Sequence, residues 1–366
     1  MHSMANIMKQ VLIFQERLPS YRINFFTHLA CLCNLRLVLD SKLSITGEGP
    51  HDVDLLSFVS IVRYSNIQFF LSNLRQIFGL IKVSDTVVIP STFRLYTFLL
   101  CFLTVLCRKS LILWGIGHMP YENPLLKYLR VVLYLLSSKI ILYSHYEAYM
   151  YSCLFPFLNH KLDYFLNSSG MLSARPENIE RLAEIHNTPR KQFIYVGRLN
   201  RKSMIKDLCE DFLQFNSRHN NKHCLVVVGA GDLYLDCVRS YSSTRIIFTG
   251  AIYNPMELYA HYSKSYFSIY YGSAGLSVLT SFEFSTPIII QKGFHNQAPE
   301  ASICNTCNSI CFSRFNGTSS LPNVLEAVTH LSFSDYSSMA QSSFLSSQAH
   351  RVDKASLHFY RLLRDA

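Results

Sequence analysis

Charge is scarce in this sequence, and negative charge is the scarcest. Only 16% of the 366 residues are charged, and 24 acids stand against 34 bases, for a net charge of +10. With 49% hydrophobic residues beside so few charges, a disordered chain is excluded. Long apolar runs are missing too. The longest, Leu95 to Cys107, is bracketed by Arg94 and Arg108-Lys109, and it falls short of the ~20 residues a transmembrane helix needs. It reads as a buried or interfacial helix. No secretory signal is legible, because Lys9 precedes only the short apolar run Val11 to Phe14, so the expected location is the cytoplasm. Zinc-finger spacing, a Lys/Arg-rich tail, a nucleic-acid-binding signature and short internal repeats are all absent, and nucleic acid is not an expected partner. The 11 cysteines are odd in number and mostly scattered, as reduced structural thiols are. Cys304, Cys307 and Cys311 form a CxxC plus one, with His295 nearby but no fourth cysteine; no metal site is expected there.

What charge there is lies unevenly. Between Leu55 and Met150 stand nine bases (Arg63, Arg75, Lys82, Arg94, Arg108, Lys109, Lys127, Arg130, Lys139) and three acids (Asp85, Glu122, Glu147). Bases interleaved with apolar helices suit an anionic membrane surface; a solvated face on core helices is the competing account.

The length suits two domains, each with its own core. Short apolar strands alternate with helical periodicity at Gln10–Phe14, Leu35–Leu39, Phe58–Val62, Thr86–Ile89, Leu111–Trp114, Lys139–Tyr143 and Asp163–Leu166. The clearest helix is read from Asn66 to Lys82. Such alternation implies a parallel sheet covered on both faces. Asn167 to Arg190, with Ser168-Ser169-Gly170, Pro176 and Pro189, breaks the rhythm as a linker does. Strands then resume at Gln192–Val196, Cys224–Val228 and Arg245–Thr249, and Ser332 to Ser347 is read as a serine-rich stretch before a final amphipathic helix. The expected organisation is residues 1–168 as a first Rossmann-like domain, 169–190 as linker, 191–345 as a second, and 346–366 as a helix packing back on the first. A cleft between the two domains is the expected site.

The most informative stretch is Tyr266 to Glu300. A strand-like run to Tyr271 meets the small-residue turn Gly272-Ser273-Ala274-Gly275. A helix-like segment from Leu276 to Phe284 follows, stopped near Ser285 or Thr286 by Pro287, and a second strand runs to Gln291. This is a βαβ unit whose turn, with Leu276 and Ser277 opening the helix, offers N–H groups to a phosphate. An ordinary turn whose glycines serve packing alone is the competing reading.

These residues carry a resemblance. FIYVGRLNRKS, CLVVVGAGDLYL, RIIFTGAIYNPMELYAHYSKS and YGSAGLSVLTSFEFSTPII with Gln297-Ala298-Pro299-Glu300 behind it occur here in the order found in group-1, or family-4-like, glycosyltransferases of the GT-B fold. The match is closer to a bacterial polysaccharide subset (O-antigen, capsule) with a PGxxGLxxxHSxxxGxPVI pattern. LPSYRINFF and LILWGIGH resemble that group's first-domain segments more loosely. The resemblance implies an α/β fold of GT-B architecture and transfer of sugar from a nucleotide-sugar donor, with retention and without a bound metal or other cofactor. The acceptor it implies is a glycan or polyprenyl-linked intermediate at the inner face of the cytoplasmic membrane.

Carried over by position, Arg198 and Lys202 meet the donor diphosphate. Gly229 and Gly231 admit the nucleotide, or serve a tight turn. Gly272, Ser273, Ala274, Gly275, Leu276 and Ser277 cradle the donor. Pro19, Tyr21 and Arg22 line the acceptor side, Arg22 steadying an acceptor phosphate. The lysine usual five residues after the arginine falls on Ser203, so its role passes to Lys202. Two positions where relatives carry glutamate fall on Gly272 and Thr280. Glu283, about one helical turn from Thr280, either faces the same way or faces solvent. Ile116 stands where relatives often have histidine, and His118 is the substitute candidate. Catalytic candidates are therefore His118, Thr280 and Glu283. A non-catalytic nucleotide-sugar-binding relative and a nucleotide-sugar epimerase of the same fold stay open.

Overall fold

The computed structural model describes residues 8–40, 45–46, 57–117, 124–168, 192–220, 222–294 and 297–366. The segment expected as linker, His118 and His295 lie outside them. The chain divides into two compact units, Met1–Gly170 with Val352–Ala366, and Met171–Arg351.

The first unit holds a seven-stranded sheet in the order β5-β3-β1-β6-β7-β8-β9, comprising β1 (Gln10–Gln15), β3 (Asn34–Leu39), β5 (Val59–Ile61), β6 (Thr86–Pro90), β7 (Ser110–Gly115), β8 (Lys139–Leu142) and β9 (Leu162–Tyr164). All neighbours are parallel. A small parallel pair, β2 (Leu18–Pro19) with β4 (Ile45–Thr46), stands beside it. Alternate strand residues feed opposite faces. Leu12 and Phe14 pack with the helices α3 (Leu74–Val83), α4 (Leu95–Leu106) and α5 (Pro124–Leu136), whereas Val11 and Ile13 pack with α1 (Ile23–Ala30). Burial on both faces is why these strands read as unbroken apolar runs.

The helix expected over Asn66–Lys82 is two helices, α2 (Ile67–Ser72) and α3. Asn73 parts them, its side-chain amide donating to the Phe69 and Arg63 carbonyls at 2.9 and 3.2 Å. Asparagine competes for backbone groups that a continuous helix would use. Between β8 and β9 lies α6 (His145–Leu154).

The second unit repeats the plan with six parallel strands in the order β12-β11-β10-β13-β14-β15. They are β10 (Gln192–Val196), β11 (Cys224–Val228), β12 (Ile246–Gly250), β13 (Ser265–Tyr270), β14 (Ile288–Gln291) and β15 (Ser309–Phe312). Helices α7 (Ile205–Arg218), α8 (Tyr234–Tyr241), α9 (Pro255–Ser263), α10 (Ser277–Glu283), α11 (Leu321–Thr329) and α12 (Phe333–Gln348) complete it. The serine-rich stretch is thus a helix. It is N-capped by Ser332, and Tyr336, Ala340, Ser343 and Ser347 form its buried stripe. A hairpin of Arg314–Phe315 and Thr318–Ser319 turns through Asn316 and Gly317, both at positive φ.

The last helix, α13 (Val352–Arg364), returns to the first unit. Phe359 packs on Trp114, ring centroids 4.6 Å apart, among Phe25 and Phe165. Lys9 donates to the Leu363 carbonyl at 2.6 Å, satisfying a helix end that lacks an internal partner.

Candidate functional site

In the second sheet the strand order reverses at β10, which lies between β11 and β13. Open parallel sheets bind ligands outside the carboxyl ends of the strands at such a reversal. The loops there are Gly197-Arg198-Leu199 after β10 and Tyr271-Gly272-Ser273 after β13, so the fold places two of the sequence-predicted segments side by side.

Backbone contacts lock these loops. The Gly197 and Leu199 N–H groups donate to the Val228 and Ala230 carbonyls, both at 3.0 Å, and Gly229 N–H donates to Gly250 at 2.8 Å. Gly229 and Gly231 stand at φ +149° and +153°. A Cβ at 229 would overlap the Gly197 carbonyl oxygen, and one at 231 would sit 2.5 Å from that of Leu199. Both glycines therefore serve close packing of loop on loop. Asn200 then caps a short turn, its side chain accepting from the Lys202 and Ser203 N–H groups at 2.9 and 3.2 Å. Met204 closes the turn in the left-handed region, φ +50°, a strained conformation for a residue with a Cβ.

That turn explains an unusual residue. The Lys202 carbonyl accepts from Ser273 N–H at 2.9 Å, and a Cβ on Gly272 would overlap the same carbonyl oxygen. No side chain fits at 272 while the turn holds this position. Ser203 is buried, its hydroxyl donating to the Asn200 carbonyl at 2.6 Å. Arg198 and Lys202, by contrast, are exposed. Exposed cations of this turn are Arg201 and Lys202, while Ser203 stands at the usual spacing.

Gln297 is the residue whose role the sequence reading missed. Its side-chain oxygen accepts from Ala274 N–H at 2.8 Å and from Ala298 N–H at 3.1 Å. Of the turn expected to offer N–H groups to a phosphate, only part keeps them available. Ser273 and Ala274 spend theirs inside the protein, while those of Gly275, Leu276 and Ser277 have no hydrogen-bond partner among the described residues. Gly275 takes φ +50° with open space around it, so it is needed for its backbone angle. The helix behind it, α10, has seven residues. It ends as Pro287 requires, through a left-handed Ser285 at φ +54°, with Thr286 N–H returning to Ser281 at 2.9 Å.

Both catalytic candidates on α10 are buried. Thr280 returns its hydroxyl to the Leu276 carbonyl at 3.3 Å. Burial, then Tyr270, raises the Tyr262 phenol's pKa, and the nearby Glu283 charge adds to it; Glu283 faces inward, and the solvent-facing alternative is excluded. On the other flank Arg314 pairs with Asp207 at 2.8 Å and lies over the Tyr271 ring at 5.6 Å. Burial pushes the Tyr271 hydroxyl up to about 12 and raises the neighbouring Asp211 carboxyl. This polar set braces the residue immediately before Gly272.

In the first unit, Pro19 and Tyr21 are half-buried at the end of the loop following β1. Arg22 is buried. Its guanidinium donates to Asn167 at 2.7 Å and lies 4.9 Å from the Trp114 ring centre, so it ties the β1 loop to the end of the domain. Strand β7 ends at Gly115-Ile116-Gly117, where the buried Arg130 donates to the Ile116 and Gly117 carbonyls at 2.9 and 2.6 Å and the Tyr151 hydroxyl donates to Gly117 as well. Glu147 accepts from Tyr143 N–H at 3.2 Å; burial pushes its carboxyl above the ordinary range, against backbone donors that lower it. Among the described residues no group of three His, Cys, Asp or Glu side chains is arranged to hold a metal ion.

No protein-family model matches the sequence, and no curated protein matches it. Solved structures do match. HepE from Anabaena, solved in complex with UDP-glucose, superposes with a TM-score of 0.68 at 11% identity, covering 98% of this chain and 100% of its own. A glycosyltransferase from Rickettsia africae gives 0.69 at 11%, covering 98% of each. A UDP-forming trehalose-phosphate synthase from Burkholderia xenovorans gives 0.63 at 10%, covering 98% and 99%. With two parallel α/β sheets and this likeness over nearly its whole length, the chain has the GT-B fold of glycosyltransferases.

Proposed function

We propose that the chain is a glycosyltransferase that moves a sugar from a nucleotide-sugar donor to a glycan acceptor. The observation that carries this reading is the junction of two loops at the strand-order reversal. It sets exposed Arg198 and Lys202 beside a glycine turn that keeps three N–H groups open. Neighbours of the same fold are solved in complex with UDP-glucose and with UDP. The ligand class this reading requires is a sugar linked through a diphosphate to a nucleoside.

As the bond from the anomeric carbon to the diphosphate breaks, negative charge gathers on the departing phosphate oxygen. A guanidinium matches that phosphate with a fork of donors, and Lys202 adds a point charge. The acceptor hydroxyl attacks the anomeric carbon, with retention, and its proton passes to the leaving phosphate. No metal is required once protein cations and backbone N–H groups carry this charge. The acceptor we assign is a lipid-linked glycan of bacterial O-antigen, capsule or exopolysaccharide assembly. It is received by the first unit, with Pro19, Tyr21 and Arg22 on the acceptor side and His118 as a catalytic candidate, and the enzyme works at the cytoplasmic face of the membrane.

Incubation with labelled UDP-, GDP- and dTDP-sugars plus membrane lipid extract tests the reading. Label transferred to lipid is expected. Conversion of free nucleotide sugar without acceptor would instead establish an epimerase, and binding without turnover a non-catalytic binding protein.

A further inference from the structure

Helices α4 and α5 are apolar on their outer as well as their inner sides. In a soluble domain the apolar stripe of a surface helix faces the core and the polar one faces water. Here α4 buries Tyr96, Leu100 and Cys101 together with Thr97 and Thr104, and Thr104 returns its hydroxyl to the Leu100 carbonyl at 2.7 Å. Its outward residues include Leu95, Phe102 and Leu106, which are 62%, 64% and 62% exposed. Neighbouring α5 buries Arg130 and Tyr134 and leaves Val132, Leu135 and Leu136 exposed. The buried sides of α3, α4 and α5 all join one cluster on the same sheet face, so their outer sides form one continuous surface. Not one Asp or Glu occurs in the three helices. Bases rim them: Arg75 and Lys82 on α3 are exposed, as are Arg94 before α4 and Arg108 after it. No helix among the described residues is long and apolar enough to cross a membrane.

We infer that the outer face of α4 and α5 inserts into the interface of an anionic lipid bilayer, with the rimming arginines and lysines at the headgroups. The geometry is that of an interfacial helix pair, its apolar side in the acyl boundary and its bases drawn to negative lipid. Charge decides against a second copy of this chain as the occupant. Two such faces set together would oppose base to base, and Glu16, the acid at this rim, is already engaged with Arg94 at 3.5 Å, whereas an anionic bilayer complements both the apolar centre and the basic rim. This identifies the surface through which the proposed enzyme would meet a lipid-linked acceptor, but its test needs no sugar substrate and stands apart from the transferase reading.

The full chain contains a single tryptophan, Trp114, which is buried, so Phe102→Trp places a reporter on the face. Vesicles of phosphatidylcholine alone, and with about a third phosphatidylglycerol, supply the membrane. The expected result with the anionic vesicles is a blue shift of emission from the introduced indole and its quenching by brominated acyl chains, both weakened by salt. In the natural background, Phe102→Ser with Leu135→Ser should lower partitioning at least about tenfold, since each removes buried apolar area. Arg108→Gln should lower it about fivefold and flatten the salt dependence. Absence of any shift would overturn the inference. So would partitioning untouched by the serine pair, or lipid-free self-association that the serine pair abolishes, which would assign the face to a second copy.

Discussion

The two units build the same doubly wound sheet but differ in how closely backbone meets backbone at its strand ends. In the second, loops meet backbone to backbone: Gly229 against the Gly197 carbonyl, Gly231 against that of Leu199, and Gly272 against that of Lys202. In the first, side chains do the work: buried Arg130 and Tyr151 hold the carbonyls after β7, buried Arg22 holds Asn167, and half-buried Glu147 holds Tyr143 N–H. The difference decides where charge is available. Glycine contacts consume no side chains, so Arg198 and Lys202 stand exposed beside the turn. The first unit directs Arg22 and Arg130 inward as struts.

The sharpest way to break this contrast is to put a Cβ where only backbone fits. Gly229→Ala should cost about 3 kcal/mol or more, from overlap with the Gly197 carbonyl and from its positive φ. Urea unfolding should show the loss in the transition of the second unit. Removing an available cation should do the reverse. Arg198→Ala should leave the unfolding midpoint in place and lower turnover 10²–10³-fold, about 3–4 kcal/mol of barrier; full turnover on true donor and acceptor would sink its assigned role.

Arg130→Met tests the strut in the first unit. The Ile116 and Gly117 carbonyls each lose one donor, with the Ser91 and Tyr151 hydroxyls remaining on them, for an expected loss of about 1–3 kcal/mol in that unit, while calorimetric affinity for nucleotide sugar stays unchanged. Gln297 offers a finer cut. Gln297→Ala removes the acceptor of two N–H groups and should weaken donor binding about tenfold. Gln297→Glu keeps the acceptor but sets a carboxylate beside the open N–H groups, so its loss of affinity should shrink as salt is raised.

The smallest effect expected is a pH dependence. The folded carboxyl of Glu147 has its pKa raised by burial, so its contribution is fully present below the unfolded value and is lost as pH rises through the folded one. Glu147→Gln should flatten the change in unfolding free energy across that window above the ordinary carboxylate value. An unaltered slope would count against burial as the cause.

Most of the fold was legible because parallel strands buried on both faces read as apolar runs, and the bounds of Gln192–Val196 and Cys224–Val228 needed no correction. The helix Phe333–Gln348 was not legible, since its buried stripe is partly serine: Ser343 and Ser347 enter the core with hydroxyls bonded to the Met339 and Phe344 carbonyls, and hydrophobic periodicity is silent there. The break at Asn73 depends on two local hydrogen bonds rather than on pattern. At the candidate site, motif order located the loops. Which N–H groups remain open depends on Gln297 reaching Ala274 across 23 residues, a tertiary contact without a local signature. The packing of Arg22 was illegible for a related reason. Position in a loop after β1 suggested a ligand contact, and only the packed structure gives it Trp114 and Asn167 as neighbours.

The return of helix α13 to the first unit bears on how the chain is made. Phe25, Trp114 and Phe165 emerge from the ribosome early, yet Phe359, which covers them, follows only after the whole second unit. Domains whose sequence is contiguous can fold as they emerge. Here the second unit can close first, and the earlier-made one must wait with an aromatic face uncovered, so the molecule finishes assembling in the reverse of the order in which it is written.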